Sequence, residues 1–270
     1  MTAAFPAPAW LVGCGNMAGA MVAGWRAGGA DFSGVTVIRP SGTRVEGIRT
    51  VTDYPEERPR FVMLGFKPQK LDEVAPDLAS HVEAETFLVS MLAGVSAATL
   101  RERFPDARAI VRIMPNLPVA EVQGVTAIYS ADNDIEQLAE IRQMMASLGM
   151  IAWCKTEEEL GVIGAIASAG IAYVARFAEA LAKSGMGLGL RPGMAEQLAI
   201  QTLVGTGAYA AATGASMTEI ARRVASPKGT TEQGLAVLDA PDGLQPLVDR
   251  TIAAAVRRGQ QLAEEAARRD

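Results

Sequence analysis

The residues best suited to chemistry lie in a glycine-rich turn near the start of the chain. Residues 13–18 read Gly-Cys-Gly-Asn-Met-Ala; they follow the apolar run 9–12 and open a helix rich in small side chains. This order of strand, Gly-x-Gly-x-x-Ala turn and helix is typical of dinucleotide binding, because the glycines let the backbone turn tightly and approach a pyrophosphate. The helix N-terminus then favours the anion. An ordinary βα turn without a ligand is the alternative. The predicted cofactor-binding residues are Gly13, Gly15, Asn16, Met17 and Ala18.

A second turn that suits an anion lies near the end of the chain, at residues 226–231. Its proline and glycine force a turn, and its two threonines can cap the next helix. Free backbone N–H groups that lead into a helix, together with the charge of Lys228, would hold a substrate carboxylate. The residues alone leave a plain helix–loop–helix corner equally open. The predicted substrate-binding residues are Ser226, Lys228, Gly229, Thr230 and Thr231.

The end of the second predicted strand indicates which dinucleotide binds. Strands of this kind usually end in an acid that holds the ribose 2′-hydroxyl of NAD. Here the strand is followed by Arg-Pro-Ser-Gly-Thr-Arg at 39–44, which contains no acid. Arginine pairs well with phosphate, so Arg39, Ser41 and Arg44 favour the 2′-phosphate of NADP(H) over NAD(H). Solvated loop arginines are the alternative.

These motifs need a sheet to position them, and the first part of the chain has the sequence pattern of one. Short apolar runs alternate with helical segments, which predicts an α/β fold with a doubly wound, mostly parallel sheet. The strands are predicted at 9–12, 35–38, 61–66, 87–91, 109–114, 125–129 and 151–153, and three of the helices at 18–25, 74–82 and 135–148. Ligands bind beyond the C-terminal strand ends of such sheets. The further predicted cofactor-binding residues there are Lys67, Pro68, Ala93, Gly94, Pro115 and Asn116. His81, on a polar helix, is expected to be solvated and is given no catalytic role.

From residue 156 onward the pattern is helical. Capping boxes begin helices at Thr156 and Ser216, residues 181–193 are predicted to be a glycine-rich connection, and a final helix is predicted at 244–268. We therefore predict an N-terminal NADP(H)-binding Rossmann domain, 1–155, and an all-helical substrate-binding and dimerisation domain, 156–270. The apolar runs 160–175 and 198–217 do not favour a membrane span, because the first is short and the second contains Gln201 and several threonines. Helices that are apolar all round need cover, which predicts a homodimer or a higher homo-oligomer.

Composition excludes several classes of protein. The chain has 270 residues, a formal net charge of −5 and no basic patch, so no nucleic-acid partner is expected. Its two cysteines lack metal spacing, which predicts no metal site and a reduced, cytoplasmic location. The first eight residues contain no basic residue and no long apolar core, so no signal peptide is expected.

Taken together, the motifs resemble those of the pyrroline-5-carboxylate reductase family, and they span nearly the whole chain. The matching pieces are Gly13-x-Gly15-x-Met17, Phe66-Lys67-Pro68-Gln69, Ser90-x-x-Ala93-Gly94-Val95, Arg112-x-Met114-Pro115-Asn116-x-Pro118, Gly170-x-Ala172-Tyr173, Gln201-Thr202-x-x-Gly205 and Ser226-Pro227-Lys228-Gly229-Thr230-Thr231. The resemblance implies a Rossmann domain, helical domains that interlock in dimers, and NADPH-dependent reduction of 1-pyrroline-5-carboxylate to L-proline. It also implies that the last turn binds the substrate carboxylate, and that Thr231 is the catalytic residue that faces the ring nitrogen.

The chain departs from the family pattern around the expected substrate site. Residues 167–173 read Ala-Ser-Ala-Gly-Ile-Ala-Tyr where the family commonly has Ser-Gly-Ser-Gly-Pro-Ala-Tyr, Lys228 replaces a glycine, and an acid often found before the second capping box is absent at 213–215. Reduction of a different cyclic imine acid therefore stays open. A β-hydroxyacid dehydrogenase is less favoured, because the helix at 160–176 lacks the lysine that such enzymes need. A catalytically silent NADP(H)-binding protein is a further alternative.

Overall fold

The computed structural model describes residues 4–132 and 138–267. The chain forms two compact units, one of Met1–Ser168 with Ala255–Asp270 and one of Ala169–Ala254. The predicted domains divide the chain earlier, at 155/156. Leu160 explains part of this difference, because it is buried against Ala127 of the sheet and Cys154 and so keeps the first helical turns with the first unit. Compactness does not show independent folding, so the predicted domain bounds stay a prediction.

The first unit is built on an eight-stranded sheet with the strand order β3-β2-β1-β4-β5-β6-β7-β8. The strands are β1 Ala9–Val12, β2 Val35–Ile38, β3 Arg49–Val51, β4 Phe61–Leu64, β5 Phe87–Ser90, β6 Ala109–Pro115, β7 Gly124–Tyr129 and β8 Gly149–Trp153. All neighbours pair in parallel except β6 and β7, which are antiparallel. The chain leaves β1 for β2 on one side and returns to β4 on the other. The order reverses between these strands, and ligands bind at such switch points.

Helices cover both faces of the sheet, and the neighbouring strands β1 and β4 at its centre are accordingly apolar and buried at every position. Ala9 and Leu11 of β1 face one core, while Trp10 and Val12 face the other. Around the sheet lie α1 Asn16–Ala27, α2 Leu71–Ala79, α3 Ala97–Arg103 and α4 Ala139–Ala146. Full burial on two faces is typical of a parallel sheet in a doubly wound fold, and it confirms the predicted fold class.

The rest of the chain is helical. It contains α5 Glu157–Ile163, a π-helical turn Gly164–Ser168, α6 Gly170–Gly187, α7 Pro192–Thr213, α8 Met217–Val224, α9 Thr230–Leu238 and α10 Leu244–Ala267. Both predicted helix starts are confirmed, since the hydroxyls of Thr156 and Ser216 accept hydrogen bonds from Glu159 N and Glu219 N. Ser216 makes a reciprocal capping box, whereas the Glu159 carboxylate turns to Lys155 N instead.

The predicted connection at 181–193 is wrong. α6 continues to Gly187 and α7 begins at Pro192, so the loop is four residues long. Gly185 lies inside α6, where a Cβ atom would come within 3.0 Å of Leu190 Cδ1. The glycine therefore serves a close approach between the helix and the following loop, not a chain break.

Three smaller differences concern the first unit. α2 begins at Leu71, three residues before the predicted start, and the short strand β3 was not predicted. His81 is half-buried rather than fully solvated: its ring lies 5.4 Å from the Trp10 ring and 5.1 Å from the Tyr54 ring, and desolvation lowers its pKa. The start of the predicted helix at 135–148 and residue 268 of the last one lie outside the described residues.

Among the described residues, one stretch meets the length and composition of a membrane span. It is Glu157–Gly187, with a mean hydropathy of 1.6, and only 17% of its apolar window is buried within the chain. A π-helical turn interrupts it at 164–168. The stretch is therefore longer than the apolar run seen in the sequence, and its exposed apolar surface requires an explanation.

Candidate functional site

The turn after β1 is shaped by three small residues that touch at the switch point. Gly13 has φ +81°, and a Cβ there would lie 2.9 Å from the carbonyl atoms of Gly65. A Cβ on Gly65 would lie 2.9 Å from Gly13 O and 3.3 Å from the Cβ of Ala18. The two turns are also tied to the sheet, because Gly13 N donates to Ile38 O and Gly65 N to Val12 O, each at 2.8 Å. Gly65, which sequence reasoning missed, therefore shapes the crevice as much as the glycine motif does.

The helix after this turn presents an N-terminus open to an anion. Gly15 is the N-cap of α1 in an extended conformation, it has no side chain to cap the helix, and the first turn of α1 contains no acid. Gly15 and Asn16 are exposed, Met17 is half-buried, and Ala18 is buried beneath them. The first N–H groups of a helix have no intrahelical acceptor, so they are available to a phosphate here.

A cationic loop follows β2 at the same edge of the sheet. Arg39 is half-buried, and its Nη1 donates to Thr43 O at 3.4 Å; Arg44 is exposed. Ser41 Oγ and Thr43 Oγ1 lie 3.1 Å apart. The charge of Arg39 reaches the glycine turn: burial raises the pKa of the Cys14 thiol, and Arg39 opposes that effect. Cys14 is therefore a neutral thiol that fills space beside the cation.

The ends of β4 and β5 open onto a cavity of about 570 Å³ in the first unit. Pro68, Ala93 and Gly94 line it, together with Leu262 and Glu265 of α10. Lys67, just before Pro68, is exposed. Gly94 has φ +79°, and a Cβ there would lie 3.0 Å from Leu262 O. The end of α10 thus lies directly against the loop that the sequence predicted as part of the cofactor site.

The end of β6 is locked to the π-helical turn. Asn116 is 5% exposed; its Nδ2 donates to Ala167 O at 2.9 Å, and its Oδ1 accepts from Val125 N at 2.8 Å. Ser168 Oγ donates to Pro115 O at 3.3 Å. Pro115 and Asn116 are therefore buried and engaged with their neighbours. Ser168 lies in the segment that departs from the family pattern, and it makes its own contact with the strand end.

The turn at 226–231 belongs to the second unit, and its geometry differs from the sequence expectation. Gly229 is the N-cap of α9 with no side-chain cap, so the predicted capping by Thr230 or Thr231 is wrong. A Cβ on Gly229 would overlap Ser226 Oγ. Lys228 has φ +61°, a left-handed conformation that favours glycine.

Two of the backbone donors in this turn already have acceptors within it. Gly229 N donates to Ser226 O at 2.9 Å, and Lys228 N donates to Glu232 Oε2 at 2.8 Å. Thr230 and Thr231 open α9, where backbone N–H groups lack intrahelical acceptors, and both side chains are exposed. The structure thus favours these two threonines as the donors to an anion. Glu232, which sequence reasoning missed, places a carboxylate at the same turn.

In the first unit, the fold brings most of the predicted residues to one edge. β2, β1, β4, β5 and β6 are parallel neighbours, so the residues that follow them meet at the C-terminal edge of the sheet. The two contacting glycine turns, after β1 and β4, lie near the centre of that edge. Together these features define a dinucleotide-binding, Rossmann-type class of protein with a helical C-terminal part.

Comparisons with known proteins then identify the family. Residues 157–262 match the family model described as pyrroline-5-carboxylate reductase dimerisation. The chain is 30% identical to a pyrroline-5-carboxylate reductase of Pseudomonas aeruginosa over 264 residues, 94% of this chain and 96% of that protein. It is 36% identical to one from Synechocystis over 203 residues, 74% of each chain. A solved structure of a pyrroline-5-carboxylate reductase from Coxiella burnetii superposes with a TM-score of 0.87 at 28% identity, covering 96% of this chain and 99% of that one. The chain belongs to the pyrroline-5-carboxylate reductase family and is an oxidoreductase.

Proposed function

We propose that this chain is an NADPH-dependent reductase that converts 1-pyrroline-5-carboxylate to L-proline. The observation that carries the proposal is the glycine turn at the switch point, which leads into an uncapped helix N-terminus, in a chain of this family. Gly13 and Gly65 let the two βα turns approach closely, since a Cβ on either would lie 2.9 Å from backbone atoms of the other, and the first turn leads into the uncapped N-terminus of α1, which would receive a pyrophosphate.

The cofactor would be held along the C-terminal edge of the sheet. The N-terminus of α1 would receive the pyrophosphate, and Arg39, Ser41 and Arg44 would receive a 2′-phosphate. Lys67, Pro68, Ala93 and Gly94 would line its path, while Pro115 and Asn116 would support the nicotinamide end through the locked end of β6. The preference for NADP(H) rests on two arginines and the absence of an acid after β2.

In the proposed mechanism, the nicotinamide supplies the hydride and the protein supplies orientation. The N–H groups of Thr230 and Thr231, with the charge of Lys228, would fix the substrate carboxylate. The hydroxyl oxygen of Thr231 would accept a hydrogen bond from the protonated ring nitrogen and so favour the protonated imine as the C=N carbon is reduced. A protonated imine is already electrophilic, so alignment of the two reactants would supply much of the acceleration.

A second candidate substrate is a six-membered cyclic imine acid. Lys228 and the altered segment at 167–173 are the reason to test it, since both lie in motifs that the family resemblance assigns to the substrate region. The relatives reported above are named pyrroline-5-carboxylate reductases, and that substrate has a five-membered ring. We therefore propose the five-membered substrate first.

The helical part would form the interface of a homodimer. The described side chains of α6 and α7 that are large, apolar and exposed include Val174, Leu181, Leu198, Ile200 and Val204. The stretch at 157–262 matches the family's dimerisation model. A second copy that covers these faces also accounts for the exposed apolar stretch at 157–187 without a membrane. The cytoplasmic location stays a prediction.

The deciding experiment measures the loss of NADPH absorbance with pyrroline-5-carboxylate, with its six-membered homologue and without substrate. We expect fast turnover of the five-membered substrate, with proline as the product. Faster turnover of the homologue would reassign the substrate. Tight NADPH binding without reduction of either compound would contradict a reductase.

Thr231→Ala tests the proposed catalytic residue. We expect kcat to fall by roughly 10²-fold or more, as for the loss of a group that acts on the proton in the transition state, while the unfolding temperature stays nearly unchanged because the side chain is exposed. The matched control is Thr251→Ala, whose hydroxyl donates to Leu247 O within α10. Equal turnover in the two variants would remove Thr231 from the mechanism.

A further inference from the structure

One carboxylate in the first unit is bonded to two separate elements of the site. Glu157 Oε1 accepts a hydrogen bond from Arg112 Nη1 at 2.9 Å and another from Ala97 N at 2.6 Å. The Arg112 side chain is 12% exposed and that of Glu157 is 28% exposed. This pair is therefore well shielded from solvent. The proposed mechanism gives it no role.

One group that Glu157 contacts follows a loop, and the other lies on the strand that pairs with the residue before that loop. Arg112 on β6 pairs in register with Ser90, the last residue of β5, and Ala97 is the first residue of α3. Between Ser90 and Ala97 runs the loop 91–96, which carries Ala93 and Gly94. Glu157 itself begins α5. A single side chain thus joins the residue after this loop and β6 to the helix that leads into the C-terminal part.

The same pair borders the predicted site. Arg112, Met114 and Glu157 line a cavity of about 330 Å³ together with Ala93 and Gly94. Gly94 has φ +79°, which glycine adopts without strain among many other conformations, so its own backbone does not fix the shape of the loop. Ser90 Oγ and Ser96 Oγ bond nearby backbone N–H groups at either end of the loop, at 3.2 and 3.0 Å, but neither reaches across it.

We propose that Glu157 and Arg112 are positioning residues that hold loop 91–96 in its cofactor-binding shape. The proposal rests on the proposed function, because it takes Ala93 and Gly94 as contacts of the dinucleotide. A shielded ion pair contributes little net stability compared with apolar side chains of the same size, whereas loss of one partner leaves a costly unpaired charge. Such a pair suits the fixing of geometry, and Glu157 fixes the start of α3 relative to β6.

The experiment compares Glu157→Ala, Glu157→Gln and Arg112→Lys with the wild-type chain. The matched control is Glu57→Ala, which removes a carboxylate from an Arg–Glu pair of the same atom types at 3.0 Å, where the side chains of Arg49 and Glu57 are 56% and 47% exposed. NADPH affinity is measured by calorimetry, and amide hydrogen exchange is followed in the peptide that covers 91–97. If the wild-type chain reduces an imine acid, the KM for NADPH and kcat are measured for each variant as well.

We expect Glu157→Ala to weaken NADPH binding by about tenfold, roughly 1.4 kcal/mol, and to raise exchange in 91–97. The KM for NADPH should rise by a similar factor, with kcat changed by less than about threefold. This is expected because a loop that contacts the cofactor in both the ground state and the transition state stabilises the two states equally. Glu157→Gln keeps an acceptor for Ala97 N and Arg112→Lys keeps the charge pair, so each should recover most of the affinity and retain a loss of about two- to threefold. Glu57→Ala should match the wild type.

The idea is overturned if exchange in 91–97 is the same in Glu157→Ala and Glu57→Ala, or if exchange rises while NADPH affinity is unchanged. If Glu157→Ala does not fold, Glu157→Gln and Arg112→Lys decide the question. The proposal is also overturned if both of these variants show the same amide exchange and the same NADPH affinity as the wild type. Calorimetry and exchange need no turnover. A wild-type chain that binds NADPH but reduces no imine acid would therefore contradict the proposed function while these two measurements still decide the role of the pair.

Discussion

Lys228 adopts a backbone conformation that suits the glycine of the family pattern. A non-glycine residue at φ +61° destabilises the folded state by about 1–2 kcal/mol. Glycine removes this strain, but its larger conformational freedom in the unfolded chain offsets part of the gain. We predict that Lys228→Gly stabilises the protein by roughly 1 kcal/mol, or about 2–4 °C in thermal unfolding. The same change should raise the KM for the imine acid, because it removes a charge proposed to bind the carboxylate.

Lys228→Ala separates the two effects. It also removes the charge but keeps a Cβ at the left-handed position, so the KM should rise as in the glycine variant while the unfolding temperature stays near the wild-type value. If both variants unfold at the wild-type temperature, the turn is not strained. If neither changes the KM, the lysine has been retained without a role in carboxylate binding.

Arg39 is the residue on which the cofactor preference depends most. It is half-buried beside the glycine turn, where an aspartate would repel a 2′-phosphate and accept from a ribose hydroxyl. We predict that Arg39→Asp shifts the ratio of kcat/KM for NADPH over NADH toward NADH by at least tenfold. Arg60→Asp, on an exposed arginine that immediately precedes β4 at the opposite end of that strand, should leave the ratio unchanged. An unchanged ratio in the Arg39 variant would mean that the 2′-phosphate is held elsewhere.

The crevice at the switch point depends on the contact between two βα turns, and this gives a sharp pair of variants. A Cβ on Gly65 would meet the Gly13 carbonyl oxygen at 2.9 Å, and backbone atoms cannot give way as a flexible side chain can. We predict that Gly65→Ala destabilises the fold by about 1–3 kcal/mol and weakens NADPH binding more than tenfold. Thermal unfolding and calorimetry measure the two effects.

Gly19→Ala is the control for this prediction. Gly19 lies inside α1, and a Cβ there meets nothing within 4 Å, so alanine should be neutral or stabilise the helix by about 0.5–1 kcal/mol. If Gly65→Ala binds NADPH as well as Gly19→Ala does, close contact between the two turns is not what shapes the dinucleotide site.

Local patterns predicted the central strands, the glycine turn and both capped helix starts, because each depends on a few neighbouring residues. They did not predict Gly65, whose need for a small side chain arises only when β1 and β4 become neighbours. The error at 181–193 has a related cause: Gly185 and Gly187 suggested a loop, while helix packing decided the outcome. The contact of Asn116 with Ala167 and that of Glu157 with Arg112 join residues 51 and 45 positions apart, so sequence spacing gave no signal for them.

The second unit has very little core of its own. Within residues 169–254, all of which the structure describes, the buried apolar side chains are Ala178, Ala182, Ala195 and Ala199. Four alanines bury far less apolar area than a unit of this size needs, while larger apolar side chains on the same helices are exposed. We therefore predict that the same helices of a second copy supply the missing core.

Val204 on α7 tests that account. Its side chain is 57% exposed in the single chain, and a glutamate there would be harmless if the face were in solvent but costly if a second copy covered it. We predict that the wild-type chain sediments as a dimer or larger assembly and that Val204→Glu shifts it to monomer or to aggregate. Met150→Glu, at a 66% exposed position on β8 in the first unit, should keep the wild-type mass. An unchanged assembly in Val204→Glu would mean that the interface lies on another face. A monomeric wild-type chain would contradict the proposal that a second copy completes the core of this unit.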